Sequence, residues 1–206
     1  MNTALVSSTY FGPIQWYRKL ARYDRVLVEH CDHYQKQTYR NRCTIATTQG
    51  VQTLTVPVER DGGAEVRISD HGNWRHLHWH ALLSAYSESP FFDYYADDIR
   101  PFFERRWAWL YDFNLEIAHT LCGLLDLHPD LHPTDSYLRE GDFDDFREVI
   151  HPKRPLPDAD GEVEPYYQVF ACKQGFHPNL SVLDLLFNMG PESIFTLMAT
   201  RNGNQK

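Results

Sequence analysis

The stretch Ala4-Leu5-Val6-Ser7-Ser8-Thr9-Tyr10-Phe11-Gly12-Pro13 decides the fold. Its apolar triplet reads as a short strand that the hydroxyl run interrupts. Pro13 suits the first turn of a helix, where its missing N–H costs nothing and its fixed φ is already helical. Ile14, Trp16, Tyr17, Leu20 and Tyr23 then approximate a helical stripe, with Arg18, Lys19 and Arg22 on the other side. Arg25-Val26-Leu27-Val28-Glu29 reads as a second strand. Strand, tight turn, helix and strand at this spacing predict a βαβ unit.

Further along, Cys43–Thr48 and Val51–Val58 flank Gln49-Gly50, a good turn pair, and predict a hairpin whose second strand ends at Pro57 or lies at an edge. Asp61-Gly62-Gly63 is a loop, and Val66-Arg67-Ile68 a short strand. Three helices follow. One runs from Trp74 to about Ser87 with Asn73 as its cap. One runs from Asp93 to Arg106 and is kinked or divided at Pro101. The third, Tyr111 to Leu127, carries an apolar stripe of Leu115, Ala118, Cys122 and Leu125. Leu131–Thr134 and Val169-Phe170 are short strand candidates. Ser181 caps Val182–Asn188, Gly190-Pro191 stops it, and Glu192–Met198 is the last helix. The expectation is therefore an α/β fold as a single domain over 1–206. It has a mixed central sheet (the βαβ start plus the hairpin), helices packed around it, and a long polar loop at about 135–165.

At 206 residues the chain can bury a core without disulfides or metals. A net charge of −8 argues against general nucleic-acid binding. The charge is uneven. Residues 1–42 hold seven Lys/Arg against three Asp/Glu, and the remainder thirteen against twenty-five, so an anionic ligand belongs with the N-terminal part. Cys31, Cys43, Cys122 and Cys172 form no CxxC pair, and no signal peptide or membrane-length apolar run is present, which reads as a cytoplasmic protein with reduced thiols.

The densest polar stretch is Glu29–Arg42. Taken as extended, it puts Tyr34, Lys36, Thr38, Arg40 and Arg42 on one face and Gln35, Gln37, Tyr39 and Asn41 on the other. Arg can hold phosphate or carboxylate through two parallel hydrogen bonds, so Lys36, Arg40 and Arg42 form the candidate anion site. The alternative is a solvated strand face paired with the acidic remainder. The helix start after Ser7–Pro13 is a second place where backbone N–H groups favour anions. His76, His78 and His80 offer a metal-dependent hydrolase reading. It lacks an HExxH pattern and a third ligand, so no metal and no cofactor are expected. A thiol nucleophile, Cys31 beside His30 and His33 or Cys43 after the basic segment, falls in no known nucleophile motif.

Three segments together resemble the WbqC-like family of bacterial proteins. They are Tyr10-Phe11-Gly12-Pro13 with its aromatic helix, Lys36-x-x-Tyr39-x-Asn41-Arg42, and Trp74, His78, Tyr86 and Pro90-Phe91-Phe92. The tail Asn179–Leu186 is similar as well. Ser8-Thr9 stand where many members have Gln-Pro, and His30-Cys31 where many have paired Asp. The resemblance implies a transferase of surface-polysaccharide (O-antigen-type) biosynthesis moving an aminoacyl or acyl group onto a sugar. The site set is His78 and Lys36 as catalytic residues, with Tyr10, Tyr39, Arg40, Asn41, Arg42 and Trp74 binding substrate. The expected partner is a phosphate-bearing small molecule (a nucleotide sugar or activated acyl donor), with no nucleic acid and a homodimer left open. A non-catalytic ligand- or partner-binding role in the same pathway is the alternative.

Overall fold

The computed structural model describes residues 2–59 and 65–199. Strand β1 (Thr3–Ser7), helix α1 (Ile14–Arg22) and strand β2 (Arg25–Glu29) form the expected βαβ unit, with β1 and β2 parallel in the register Leu5↔Leu27. Both strands are apolar because both faces of their sheet are covered, as parallel sheets require. β7 (Asp130–Pro133) extends the sheet beside β2, and β8 (Asp144–Asp145) lies on the other side of β1. The order is β7-β2-β1-β8, and every pairing is parallel. The chain thus leaves β1 in one direction and later returns to its opposite side, which makes the carboxyl ends of β1 and β8 a topological switch point.

The hairpin β3 (Arg42–Thr47) and β4 (Gly50–Thr55) forms its own two-stranded sheet. A second small pair joins β5 (Val58–Glu59) to β6 (Arg67–Ile68). The loop expected at Asp61-Gly62-Gly63 lies outside the described residues. α2 (Trp74–Tyr86) and α5 (Leu110–Leu124) hold their expected places, and the segment between them divides at Pro101 into α3 (Phe92–Ile99) and α4 (Pro101–Glu104). α6 (Ala171–Gln174) follows a turn at Val169-Phe170, which is not a strand: the Phe170 carbonyl accepts from Lys173 and Gln174 and opens the helix instead. α7 (Val182–Met189) and α8 (Ser193–Met198) complete the chain.

Two caps differ in outcome. Ser181 Oγ accepts from Leu183 N and donates to the Phe11 carbonyl, so it both caps α7 and ties it to the β1–α1 turn. Asn73 takes φ 50° and makes no side-chain cap bond. Aromatic rings fill the core between layers. Phe11 stacks on Phe103 at 5.8 Å, and Phe113 meets Tyr10, Trp74, Phe102 and Trp107. That contact lets Phe11 hold φ 40°, a left-handed conformation a bulky residue keeps only where packing enforces it. Among the described residues no helix is long and apolar enough to cross a membrane.

Candidate functional site

The segment from Glu29 to Arg42 is not an extended ladder. After β2 it breaks into bends and turns, Gln37 adopts φ 64°, and regular strand resumes only at Arg42. Ion pairing drives this departure. Arg40 folds back onto Asp32 and donates to the His33 carbonyl at 2.9 Å and to Ser7 Oγ at 3.2 Å. A straight strand would hold Arg40 and Asp32 too far apart to meet.

Folding back places Arg40 at the carboxyl end of β1, where Ser7, Ser8 and Thr9 follow one another. These side chains line a narrow cleft at the switch point, with a cavity volume of about 20 Å³, whose far wall is the segment after β8 with Phe146, Arg147, Glu148 and His151. Ser7 Oγ accepts from Arg40, and Ser8 Oγ accepts from Asn114 Nδ2 at 3.2 Å, which leaves each hydroxyl its proton to donate. Thr9 Oγ1 is buried without a hydrogen-bond partner among the described residues. Gly12 makes room for it, since a Cβ there would stand 2.3 Å from that oxygen. His151 Nδ1 accepts backbone N–H groups from Lys153 and Arg154 at 3.0 and 3.1 Å, which selects the tautomer with a proton on Nε2. The cleft therefore brings hydroxyls and an imidazole together with two guanidiniums, Arg40 paired with Asp32 and Arg147 paired with Glu29 and Asp145, beside the Glu148 carboxylate.

A second compartment adjoins it and shares Ser8 and Arg40. It is lined by Glu29, His30, Asp32, Tyr34 and Tyr111 over an apolar floor of Val66 and Leu110. Glu29 is buried and structural: Thr134 Oγ1 and Cys31 N donate to one oxygen, each at 2.8 Å, and Arg147 to the other at 2.9 Å. His30 stacks on Tyr111 with ring centroids 4.1 Å apart.

Of the remaining expected site residues, all but Tyr39 lie apart from both compartments. Tyr10 OH and His78 Nδ1 are 2.8 Å apart in the core, with Trp74 edge-on to the His78 ring at 5.2 Å. Burial lowers the His78 pKa to about 4, against a smaller opposing effect of its hydrogen bond with the Thr55 backbone. The ring is neutral, both nitrogens are engaged, and it positions Tyr10. Asn41 Nδ2 donates to the Val56 carbonyl and Arg42 opens β3, so both serve the hairpin. Tyr39 lines the first cleft with Arg40, its phenol pushed up to about 12 by burial, and its carbonyl accepts from Tyr10 N. Lys36 is exposed on the turn and lines neither compartment. His76 and His80 face solvent on α2 while His78 faces the core, so the three histidines do not converge. Burial raises the Cys43 thiol far above its usual range and Cys122 to about 12, which suppresses the thiolate a nucleophile needs.

The helix start is not an anion site either. Its first N–H groups are taken by the Leu180 carbonyl at 3.0 Å and by Asn179 Oδ1 at 2.9 Å. Nor are the cations of α1 free. Lys19 pairs with Asp158 at 2.6 Å and Asp160 at 2.5 Å, and Arg22 with Asp160 at 2.6 Å, all from the acidic polar loop. Part of the charge asymmetry of the sequence is thus neutralised within the chain.

His151 was missed in the sequence because it sits in that polar loop, between Ile150 and Pro152, and the pairing of β8 with β1 is what carries it to the cleft. The hydroxyl run was visible but read as an interruption of the strand.

Among known proteins, the chain is similar to the uncharacterised protein Rv1507c of Mycobacterium tuberculosis, with 26% identity over 218 residues, covering 92% of this chain and 94% of the relative. No solved structure matches it significantly. The profile of the WbqC-like protein family matches residues 8–150, which include Ser8 and Thr9 of the hydroxyl run, the Arg40 turn, the Tyr10–His78 pair and the wall after β8 as far as Ile150. This chain belongs to the WbqC-like protein family.

Proposed function

We propose that the chain is a cytoplasmic transferase of bacterial surface-polysaccharide biosynthesis that binds a phosphate-bearing donor in the first compartment and moves its aminoacyl or acyl group onto a sugar. One observation carries this reading: Ser7, Ser8, Thr9 and Arg40 line one cleft at the carboxyl ends of β1 and β8, the place where open α/β sheets bind ligands. Donors fixed before the ligand arrives stabilise the negative charge that builds on a departing phosphate group without reorganising. Family membership supports the pathway and the narrow cleft supports the phosphate.

A second reading, a non-catalytic binder of the same ligand, draws on the burial of His78, which leaves that ring no path to a reacting atom.

Calorimetry with nucleotide sugars and acyl phosphates tests the binding. Arg40→Gln and Ser8→Ala are each expected to weaken a bound phosphate compound at least about tenfold, the loss of a charge-assisted or preorganised donor. Unchanged affinity in both variants refutes the site. Turnover of a bound compound by the unaltered chain separates the transferase from the binder.

A further inference from the structure

A groove between α2 and α4 lies apart from both compartments and has a cavity volume of about 620 Å³, within the range of ligand-binding clefts. Its floor is apolar. Trp79 and Leu83 come from one face of α2, and the Trp79 ring meets Phe103 of α4 at 5.8 Å. Arg75 lies on the same α2 face, so guanidinium and floor run about 12 Å along the helix. Arg100 precedes α4 and Arg106 follows it. Asp70 and Glu104 also line the groove. Three guanidiniums against two carboxylates leave it positive in a chain of net charge −8. The carboxylates do not use up the cations. Asp70 is shared, 2.6 Å from Arg75 and 3.5 Å from Arg106. Arg100 spends only Nε on Glu104, at 2.6 Å, so among the described contacts its terminal nitrogens have no partner. Arg100 and Arg106 are exposed, and exposed ion pairs are weak enough that an incoming carboxylate replaces an internal one at little cost. Arg75 is held in place by the Trp74 ring, whose centroid lies 4.7 Å from the guanidinium. His76 and His80 add ring nitrogens on the α2 rim, their centroids 4.1 Å apart.

We propose that this groove docks an acidic segment of a partner protein. Asp or Glu side chains of the segment lie against Arg75, Arg100 and Arg106, and an apolar side chain between them seats on Trp79 and Phe103. Charge complementarity selects the occupant: guanidiniums before and after α4 flank an aromatic strip, which suits carboxylates on both sides of an apolar residue. Arginine and large aromatics are also the residues that anchor protein interfaces. The inference stands apart from the anion reading of the switch-point cleft, since the two share no lining residue.

The test is selection of a random peptide library, displayed on phage, against the immobilised full chain, with counter-screening against the double variant Arg100→Glu/Arg106→Glu. Enriched clones are expected to carry Asp or Glu on both sides of Leu, Phe or Trp. The most enriched peptide, made with a fluorescent label, is expected to bind the chain in an anisotropy titration and to weaken as salt is raised. Its affinity is expected to fall about tenfold or more in Arg100→Glu/Arg106→Glu and in Trp79→Ala, and to hold in Lys173→Glu, which removes an exposed cation outside the groove. The double variant alters only exposed side chains, so it decides the matter even where Trp79→Ala fails to fold. The inference is overturned if no enriched clone distinguishes the parent from the double variant, or if the clones that do are not acidic. It is overturned as well if polyglutamate, which has no apolar side chain, binds as tightly as the selected peptide, since the groove would then be a charged patch without an apolar seat. A single-stranded oligonucleotide that displaces the peptide at equal concentration would assign the guanidiniums to a nucleic acid and also overturn it.

Discussion

His78 shows how burial changes what a residue can do. In the sequence it is the histidine that matches the family, and a histidine near neutral pH suggests proton transfer. In the fold it is a neutral core ring bonded to Tyr10, with its pKa lowered to about 4 by burial. The sign follows from linkage. Below about pH 6.5 the unfolded chain takes up a proton at this position that the folded chain refuses, so stability falls as pH drops from about 6.5 towards 4. The contribution is about 3 kcal/mol. His78→Gln keeps an acceptor for the Tyr10 hydroxyl but cannot titrate. Urea unfolding at pH 7 and pH 4.5 is expected to show a shallower loss of stability in the variant than in the parent. Equal losses would mean that the ring is not held neutral in the fold.

At the scale of elements, the polar loop behaves as a strap. Residues 155–164 lie over α1, whose Arg18 donates to the carbonyls of Asp160 and Gly161 while Lys19 sits between Asp158 and Asp160. Burial alone would raise the Asp158 pKa, but hydrogen bonds from Lys19, Gln15 and the Asp160 backbone outweigh it and lower the value. A depressed carboxylate gives stability that is present above its unfolded value of about 3.9 and is lost as pH falls through the folded one. Lys19→Met leaves two carboxylates without their cation and is expected to cost about 3–5 kcal/mol at pH 7, the usual penalty for breaking a buried pair from one side. It should also make residues 155–164 more susceptible to limited proteolysis. A loss below about 1 kcal/mol would show that the strap is held by packing instead.

Which elements could be read in advance follows from the same physics. Periodicity marked α1, α2 and α5, and Pro101 marked the break between α3 and α4, because these signals are local. The alternation from Tyr34 to Arg42 suggested a strand because a pattern of side chains carries no record of an ion pair closing between residues eight apart. Val169-Phe170 has β-favouring residues, yet the Phe170 carbonyl is used to start α6. The candidate site was only partly legible for a related reason. Arg40 and Tyr39 could be singled out by chemistry, whereas Ser7, Ser8, Thr9, Arg147 and His151 become neighbours only when β8 pairs with β1.

On the scale of the whole molecule, the topology supplies the site. A parallel sheet that places β2 and β7 on one side of β1 and β8 on the other opens a gap at the carboxyl ends of β1 and β8. The chain fills the edges of that gap with hydroxyls and Arg40, while the cations of α1, three of the seven in residues 1–42, are spent on the strap. The most direct measurement is a titration of isotopically labelled chain with inorganic pyrophosphate, followed residue by residue in amide NMR spectra. The expected result is saturable shifts at Ser7, Ser8, Thr9, Arg40 and His151, abolished by Arg40→Gln. Shifts confined to the exposed turn around Lys36 or to the α1 cations, with the hydroxyl run unmoved, would contradict it.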